Sequence, residues 1–224
     1  MKSFLLFAFF INVSFVFSQK NYNNCDIKFK DNTTKSGKCV IPSFPRQNGF
    51  FFKENGKERM NIESKSVERL KIITKNNNTY VFDYLPVAEY SAKLDSIIVH
   101  DRSQWLKLHY ATDYMNTYAR SQNYITKRNG ELELSSTNLN GNHPVTFYLK
   151  KKKDDFAFYI VEYSDISVKN RDFKMNIYHF LISQPELFQI VNKRNLEWHR
   201  INEVAELYSW YQHELNKLYY RSSN

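Results

Sequence analysis

Short runs of alternating apolar and polar residues fill most of the chain up to residue 165. Such alternation sends successive side chains to opposite faces of a strand. In Asp26–Lys30, Ile27 and Phe29 fall on one side and charged residues on the other. Further strand-like segments are Lys35–Ile41, Gly49–Lys53, Val67–Thr74, Thr79–Leu85, Leu94–His100, Trp105–Tyr110, Asn123–Arg128, Glu131–Leu134, Val145–Lys150 and Phe156–Glu162. Turn chemistry separates neighbours at Asp31–Thr34, Asn55-Gly56, Lys75–Asn78 and Asn129-Gly130, the last being the strongest hairpin signal. Strands joined by short turns, without helix-length crossovers, predict an antiparallel sheet. Tyr110–Gln122 and Ser135–Pro144 are more polar and read as mobile loops.

Beyond residue 165 the period lengthens. Phe173, Ile177, Phe180 and Leu181 recur at helical spacing within Phe173–Ile182. Ser183-Gln184-Pro185-Glu186 has the form of a helix start, with Ser183 as N-cap, Glu186 as its capping-box partner and Pro185 in the first turn. Leu187, Ile190 and Val191 form the stripe of that helix. The last helix, Arg200–Tyr220, carries Ile201, Val204, Tyr208, Tyr211, Leu215 and Leu218 on one face, a stripe suited to packing on a sheet. The expected fold class is α+β. An antiparallel β-rich part (meander, sandwich or half-barrel) spans residues 19–165, and two or three helices within residues 166–224 pack on it.

Residues 1–18 stand apart. Lys2 precedes the nearly unbroken apolar run Phe4–Phe17, and Val16 and Ser18 suit the −3 and −1 subsites of a signal peptidase. This segment reads as a cleavable signal peptide cut before Gln19. The run is shorter than the ~20 apolar residues of a spanning helix, and Asn12 and Ser14 interrupt it. No later stretch is apolar enough to span a bilayer, so the mature chain is expected without a spanning segment. The expected location is periplasmic, outer-envelope associated or secreted.

Export changes the reading of the cysteines and of the charge. Disulfides persist in an oxidising compartment, and a hairpin centred on Asn32 sets Cys25 nearly opposite Cys39, so these two are expected to bridge. The formal charge of +9 favours anionic partners in general. Lys outnumbers Arg and Asn, Ile, Phe and Tyr abound, a bias that AT-rich codons also produce, and export argues against nucleic acid. The run Lys150–Lys153, followed by Asp154 and Asp155, reads as a solvated hairpin tip.

A series of weak structural motifs runs along the mature chain. It comprises Ile27–Asp31 with Ser36-Gly37-Lys38-Cys39-Val40-Ile41, then Val67–Ile72, Leu106-Lys107-Leu108-His109-Tyr110, Tyr124–Lys127, the helix pair Tyr178–Leu187, and a final helix ending near Trp210-Tyr211. In these the chain resembles uncharacterised exported proteins of Bacteroidota, of the flavobacterial type, over most of residues 19–212. It departs from them at Arg102-Ser103-Gln104, where a glycine is usual. The resemblance implies the compartment and architecture above and no activity. Asp95-Ser96-Ile97 fits the short O-glycosylation pattern associated with that phylum.

Candidate chemistry is sparse. The six histidines form no His-x-His, His-x₃-His or His-Glu-x-x-His pair, so spacing gives no metal site, and no cofactor is expected. No Gly-x-Ser-x-Gly elbow or phosphate loop occurs, and no catalytic residue is assigned. Trp105, Tyr114 and Tyr118 are the candidate ligand-stacking residues, because aromatic faces stack on sugar rings or apolar partners. The expected function is a non-catalytic binding or interaction module of the cell envelope, with an envelope protein or a glycan as partner. The alternative is an envelope hydrolase whose site is assembled only in three dimensions.

Overall fold

The computed structural model describes residues 22–127, 129–135, 144–163 and 170–222; the expected signal peptide, residues 1–18, and most of the expected loop Ser135–Pro144 lie outside them. The strands are β1 (Asn23–Phe29), β2 (Thr34–Cys39), β3 (Gly49–Lys53), β4 (Met60–Glu63), β5 (Val67–Ile73), β6 (Thr79–Leu85) and β7 (Val87–Ser91). They continue with β8 (Ser96–Val99), β9 (Gln104–Ala111), β10 (Met115–Arg120), β11 (Asn123–Thr126), β12 (Leu132–Ser135), β13 (Val145–Lys151) and β14 (Ala157–Tyr163). The helices are α1 (Asn170–Phe180), α2 (Pro185–Lys193) and α3 (Ile201–Ser222). This is the expected α+β class, a large, mainly antiparallel sheet with C-terminal helices packed on it.

Twelve strands form one sheet in the order β4-β3-β2-β1-β5-β6-β9-β10-β13-β14-β7-β8, and β11–β12 is a separate hairpin. Among the described residues only β14 and β7 pair in parallel. The strand order has a geometric consequence. The chain passes from β6 to β7 through Pro86 alone, yet four strands separate them in the sheet. The sheet therefore curls round until its path closes, and β6, β9, β10, β13, β14 and β7 form a ring with its seam at Pro86. All six strands send apolar groups into the ring: Leu85, Val87, Leu106, Tyr118, Tyr148 and Ala157 meet there.

The opposite face of the sheet carries two larger cores. Around β9, β10, β13 and β14, residues such as Met115, Leu149 and Phe158 pack against Phe173, Ile177, Leu187, Val204 and Tyr208 of the helices. Polar pins fix the helices: Asn176 Nδ2 donates to the Ile160 carbonyl (2.9 Å) and Thr117 Oγ1 to Asn202 Oδ1 (2.9 Å). Helix α2 has Gln184 as N-cap, without a side-chain capping bond. The expected Ser183–Glu186 capping box is not formed, because the helix starts one residue later than that pattern requires. The second core joins Ile27, Phe52, Leu70, Ile72, Phe82 and Trp105 beneath the β11–β12 hairpin, whose Tyr124 meets the Phe82 ring at 5.2 Å.

Three expectations are corrected. Cys25 and Cys39 are buried free thiols in the second core. The hairpin register sets Cys25 opposite Gly37 and Cys39 opposite Asn23, so the cysteines are offset along the strands. Burial, and then neighbouring Cys25, push the Cys39 thiol up. Next, Tyr110–Gln122 is no loop, because Met115–Arg120 is a central strand of the ring. It is covered on both faces, and its buried polar residues Asn116 and Thr117 erase the alternation that marks a one-sided strand. Finally, β7 lies within a stretch that had shown no strand signal, and the expected Leu94–His100 strand is the shorter β8, begun by a turn with Asp95 at φ 47°.

Candidate ligand-binding site in the strand ring

Alternation along the ring strands decides what faces inward. Asn116, Tyr118 and Arg120 of β10 stand beside Lys150, Tyr148 and Thr146 of β13 in antiparallel register. The paired tyrosines Tyr118 and Tyr148 separate two cavities. The first, of about 750 Å³, is walled by Arg69, Asp83, Leu108, Asn116 and Lys150, with Lys152, Asp154 and Asp155 from the β13–β14 tip. The second, lined by Gln104, Arg120, Tyr148 and Tyr159, lies on the other side.

The wall of the first cavity is a hydrogen-bonded chain. Arg69 Nε and Nη2 donate to Asp83 Oδ1 and Oδ2, both at 2.7 Å, a bidentate pair between directly opposed residues of β5 and β6. Tyr118 Oη donates to Asp83 Oδ2 at 2.6 Å. Asn116 Nδ2 donates to Tyr118 Oη at 3.1 Å. These roles fix the amide orientation. The phenol spends its proton on Asp83, so its oxygen can only accept from Asn116, and the amide must turn its NH₂ that way. Asn116 Oδ1 is then buried with no hydrogen-bond partner, on a residue only 7% exposed that lines the cavity.

Electrostatics follow from this chain. The Asp83 bond holds the Arg69 guanidinium more firmly protonated than usual. Burial, reinforced by Asp83, pushes the Tyr118 phenol well above its ordinary range. Lys150 stands opposite Asn116 on the neighbouring strand. It is half-buried, and among the described residues it has no ion pair; burial lowers its pKa against the raising influence of Asp83, Asp154 and Asp155.

The second cavity is better satisfied. Arg120 Nη1 donates to Gln104 Oε1 (2.9 Å) and Nη2 to Thr146 Oγ1 (3.1 Å), and the guanidinium lies 5.6 Å from the Tyr148 ring centre. Among the described residues these partners leave no buried unmet acceptor on that side.

The stacking residues expected from sequence do not share a surface. Trp105 is fully buried in the second core and donates through Nε1 to Ser64 Oγ at 2.9 Å. Tyr114 is half-buried under α3, where its hydroxyl accepts from Asn216 Nδ2 (2.9 Å) and its ring meets His213. Tyr118 does belong to the cavity, but as a hydrogen-bonding link inside the ring. Arg69, Asp83, Asn116 and Lys150 were not singled out from the sequence. One signal was present: Asp83 interrupts the run Tyr80-Val81-Phe82-Asp83-Tyr84-Leu85, and an acid inside an aromatic strand needs a partner. Lys150, read as part of a solvated tip, points instead into the ring. Ser96 of the glycosylation-like triplet is exposed at the start of the edge strand β8.

Among the described residues no group of three His, Cys, Asp or Glu side chains is placed to hold a metal, and no helix is long and apolar enough to cross a membrane. Comparison with known proteins gave no matching family model, no similar curated protein and no similar solved structure.

Proposed function

We propose that this chain is a non-catalytic binding module of the cell envelope, and that the cavity beside Asn116 takes a small polar ligand. One observation carries the proposal: the cavity of about 750 Å³ inside the strand ring, walled by polar and charged side chains that include Asn116 and Lys150. The ionisable groups of the wall support binding over catalysis. Asp83 is committed to both Arg69 and Tyr118, and the Tyr118 phenol is pushed away from neutral pH, so neither is poised for proton transfer. The signal-like N-terminus and the basic composition support the envelope as its compartment.

The test is a thermal-shift screen of the full chain against sugars, organic acids and amino acids, repeated on Asn116→Ala. At least one compound is expected to raise the wild-type Tm. The variant is expected to keep its fold, to change in unliganded stability by less than about 1 kcal/mol because it loses one bond and one unmet acceptor together, and to lose the ligand shift. A screen without hits, or hits indifferent to the substitution, would sink the proposal.

A further inference from the structure

The Arg120 side of the ring carries a site independent of the cavity proposed above. The loop between β2 and β3 reaches over it. Trp105 donates its backbone N–H to the Pro45 carbonyl (2.7 Å) and Tyr124 to the Ser43 carbonyl (2.9 Å). Gln47 braces the same loop, its Oε1 accepting from the Ser43 N–H (2.7 Å) and its Nε2 donating to the Gly49 carbonyl (2.6 Å). These bonds fix the backbone of Phe44 and Arg46 close to Gln104, the chain neighbour of Trp105. Yet Phe44 is left 47% exposed. Arg46 is exposed too, and the ion-paired arginines among the described residues are Arg69 and Arg200.

Gln104 is also a partner of Arg120. That guanidinium is held by Gln104 Oε1 and Thr146 Oγ1, both neutral acceptors. A guanidinium has more N–H donors than two bonds use, and a partly buried charge without a counter-charge is costly. Thr146 in turn donates to Glu162 Oε2 at 3.2 Å, which leaves that carboxylate one hydrogen bond removed from Arg120. Phe44, Pro45 and Pro144 form the apolar side of a cavity of about 550 Å³, with Arg46, Gln104 and Arg120 on its polar side. Arg46 and Arg120 outweigh Glu162 on this wall, a balance that suits a monoanion better than a polyanion. Guanidinium forks match carboxylates, and the face of an exposed aromatic ring takes a flat or ring-shaped group.

We infer that this cavity binds a small monocarboxylate carried on a ring, the carboxylate on Arg46 and Arg120 and the ring against Phe44. Aromatic acids and sugar acids both present this unit. A neutral ring lacks the charge, and acetate lacks the ring.

The experiment is isothermal titration of the full chain with benzoate, glucuronate, benzyl alcohol and acetate, on wild type, Arg46→Gln, Phe44→Ser and Asn116→Ala. Benzoate or glucuronate is expected to bind about tenfold more tightly than benzyl alcohol and acetate, and which of the two binds separates aromatic from sugar acids. Arg46→Gln and Phe44→Ser are each expected to weaken that acid about tenfold, whereas Asn116→Ala, in the other cavity, leaves it unchanged. Both loop side chains are exposed, so these variants should fold, which near-ultraviolet circular dichroism checks. Should one not fold, the other variant and the four-ligand comparison on wild type still decide. Benzyl alcohol or acetate binding as tightly as the ring acids, or a ring acid indifferent to Arg46→Gln, would overturn the inference. Binding lost in Asn116→Ala alone would overturn it and place the ligand in the first cavity. Binding by none of the four would overturn this inference and leave the earlier proposal to its own screen.

Discussion

At the scale of single residues, the Arg69–Asp83 pair is the feature with most at stake. Asp83 is buried, whereas the Arg69 side chain is 43% exposed. Asp83→Asn would leave the guanidinium facing a neutral amide and would weaken the bond from Tyr118. We expect a loss of about 2 kcal/mol, below the 3–5 kcal/mol of breaking a fully buried pair because water reaches Arg69. Urea unfolding at pH 7 measures it. The double variant Arg69→Met with Asp83→Leu should recover more than half of the loss, since the cost lies mainly in a stranded charge; no recovery would mean that the contact itself stabilises. Little of this was legible beforehand. Arg69 and Asp83 lie 14 residues apart across a turn, and their pairing depends on register. Asn116 gave no signal, because a polar residue in a polar stretch looks solvated until both faces of its strand are known to be covered.

At the scale of elements, the hairpins were legible where turn chemistry was strong. Asn32 and Asn77 adopt the left-handed geometry their turns need, at φ 66° and 60°. Helix positions also followed from their stripes. β2–β3 is one of two short junctions in the sheet, the other being β14–β7, and is paired at Lys38↔Lys53 and Cys39↔Phe52. Gly37 makes that approach possible: a Cβ there would stand 2.5 Å from the Lys53 carbonyl oxygen and 2.8 Å from the Phe52 ring. Gly37→Ala should therefore push β3 and β4 outward and cost about 1–3 kcal/mol, as overpacking does. The expected result is a lower Tm with altered near-ultraviolet signal from the Phe52 region. An unchanged Tm would mean that β3 shifts freely and contributes little.

At the scale of the whole molecule, several phenols are held neutral by the fold. Burial raises the pKa of Tyr118 and Tyr124 far above the ordinary value and pushes Tyr148 up to about 12. Above the ordinary tyrosine pKa of about 10, the unfolded chain releases protons that the native state retains. The contribution to stability is therefore complete below about pH 10 and is lost as pH rises through the native values, with a slope approaching 1.4 kcal/mol per pH unit for each phenol. Denaturant unfolding at steps from pH 8 to 11.5 should show this fall, and phenolate absorbance of these residues should emerge with unfolding. A flat profile would mean that water already reaches these phenols in the native state. The α+β class and the helices at the end were readable from periodicity. Ring closure was not, because it depends on which distant strands pair, and a single proline between two strand-like segments does not announce a seam.

That seam has a kinetic consequence. Val87 of β7 pairs with Ala157 of β14, seventy positions later in the chain. A chain delivered N-terminus first, from a ribosome or through a translocation pore, presents β7 long before its partner exists. Its outer backbone groups must wait through the synthesis of β9, β10 and β13, and an open strand edge is a template for pairing with the wrong chain. The cavity takes shape only when that late, long-range contact is made. Contacts of such separation slow folding, so ligand-binding competence should lag behind secondary structure as the protein folds.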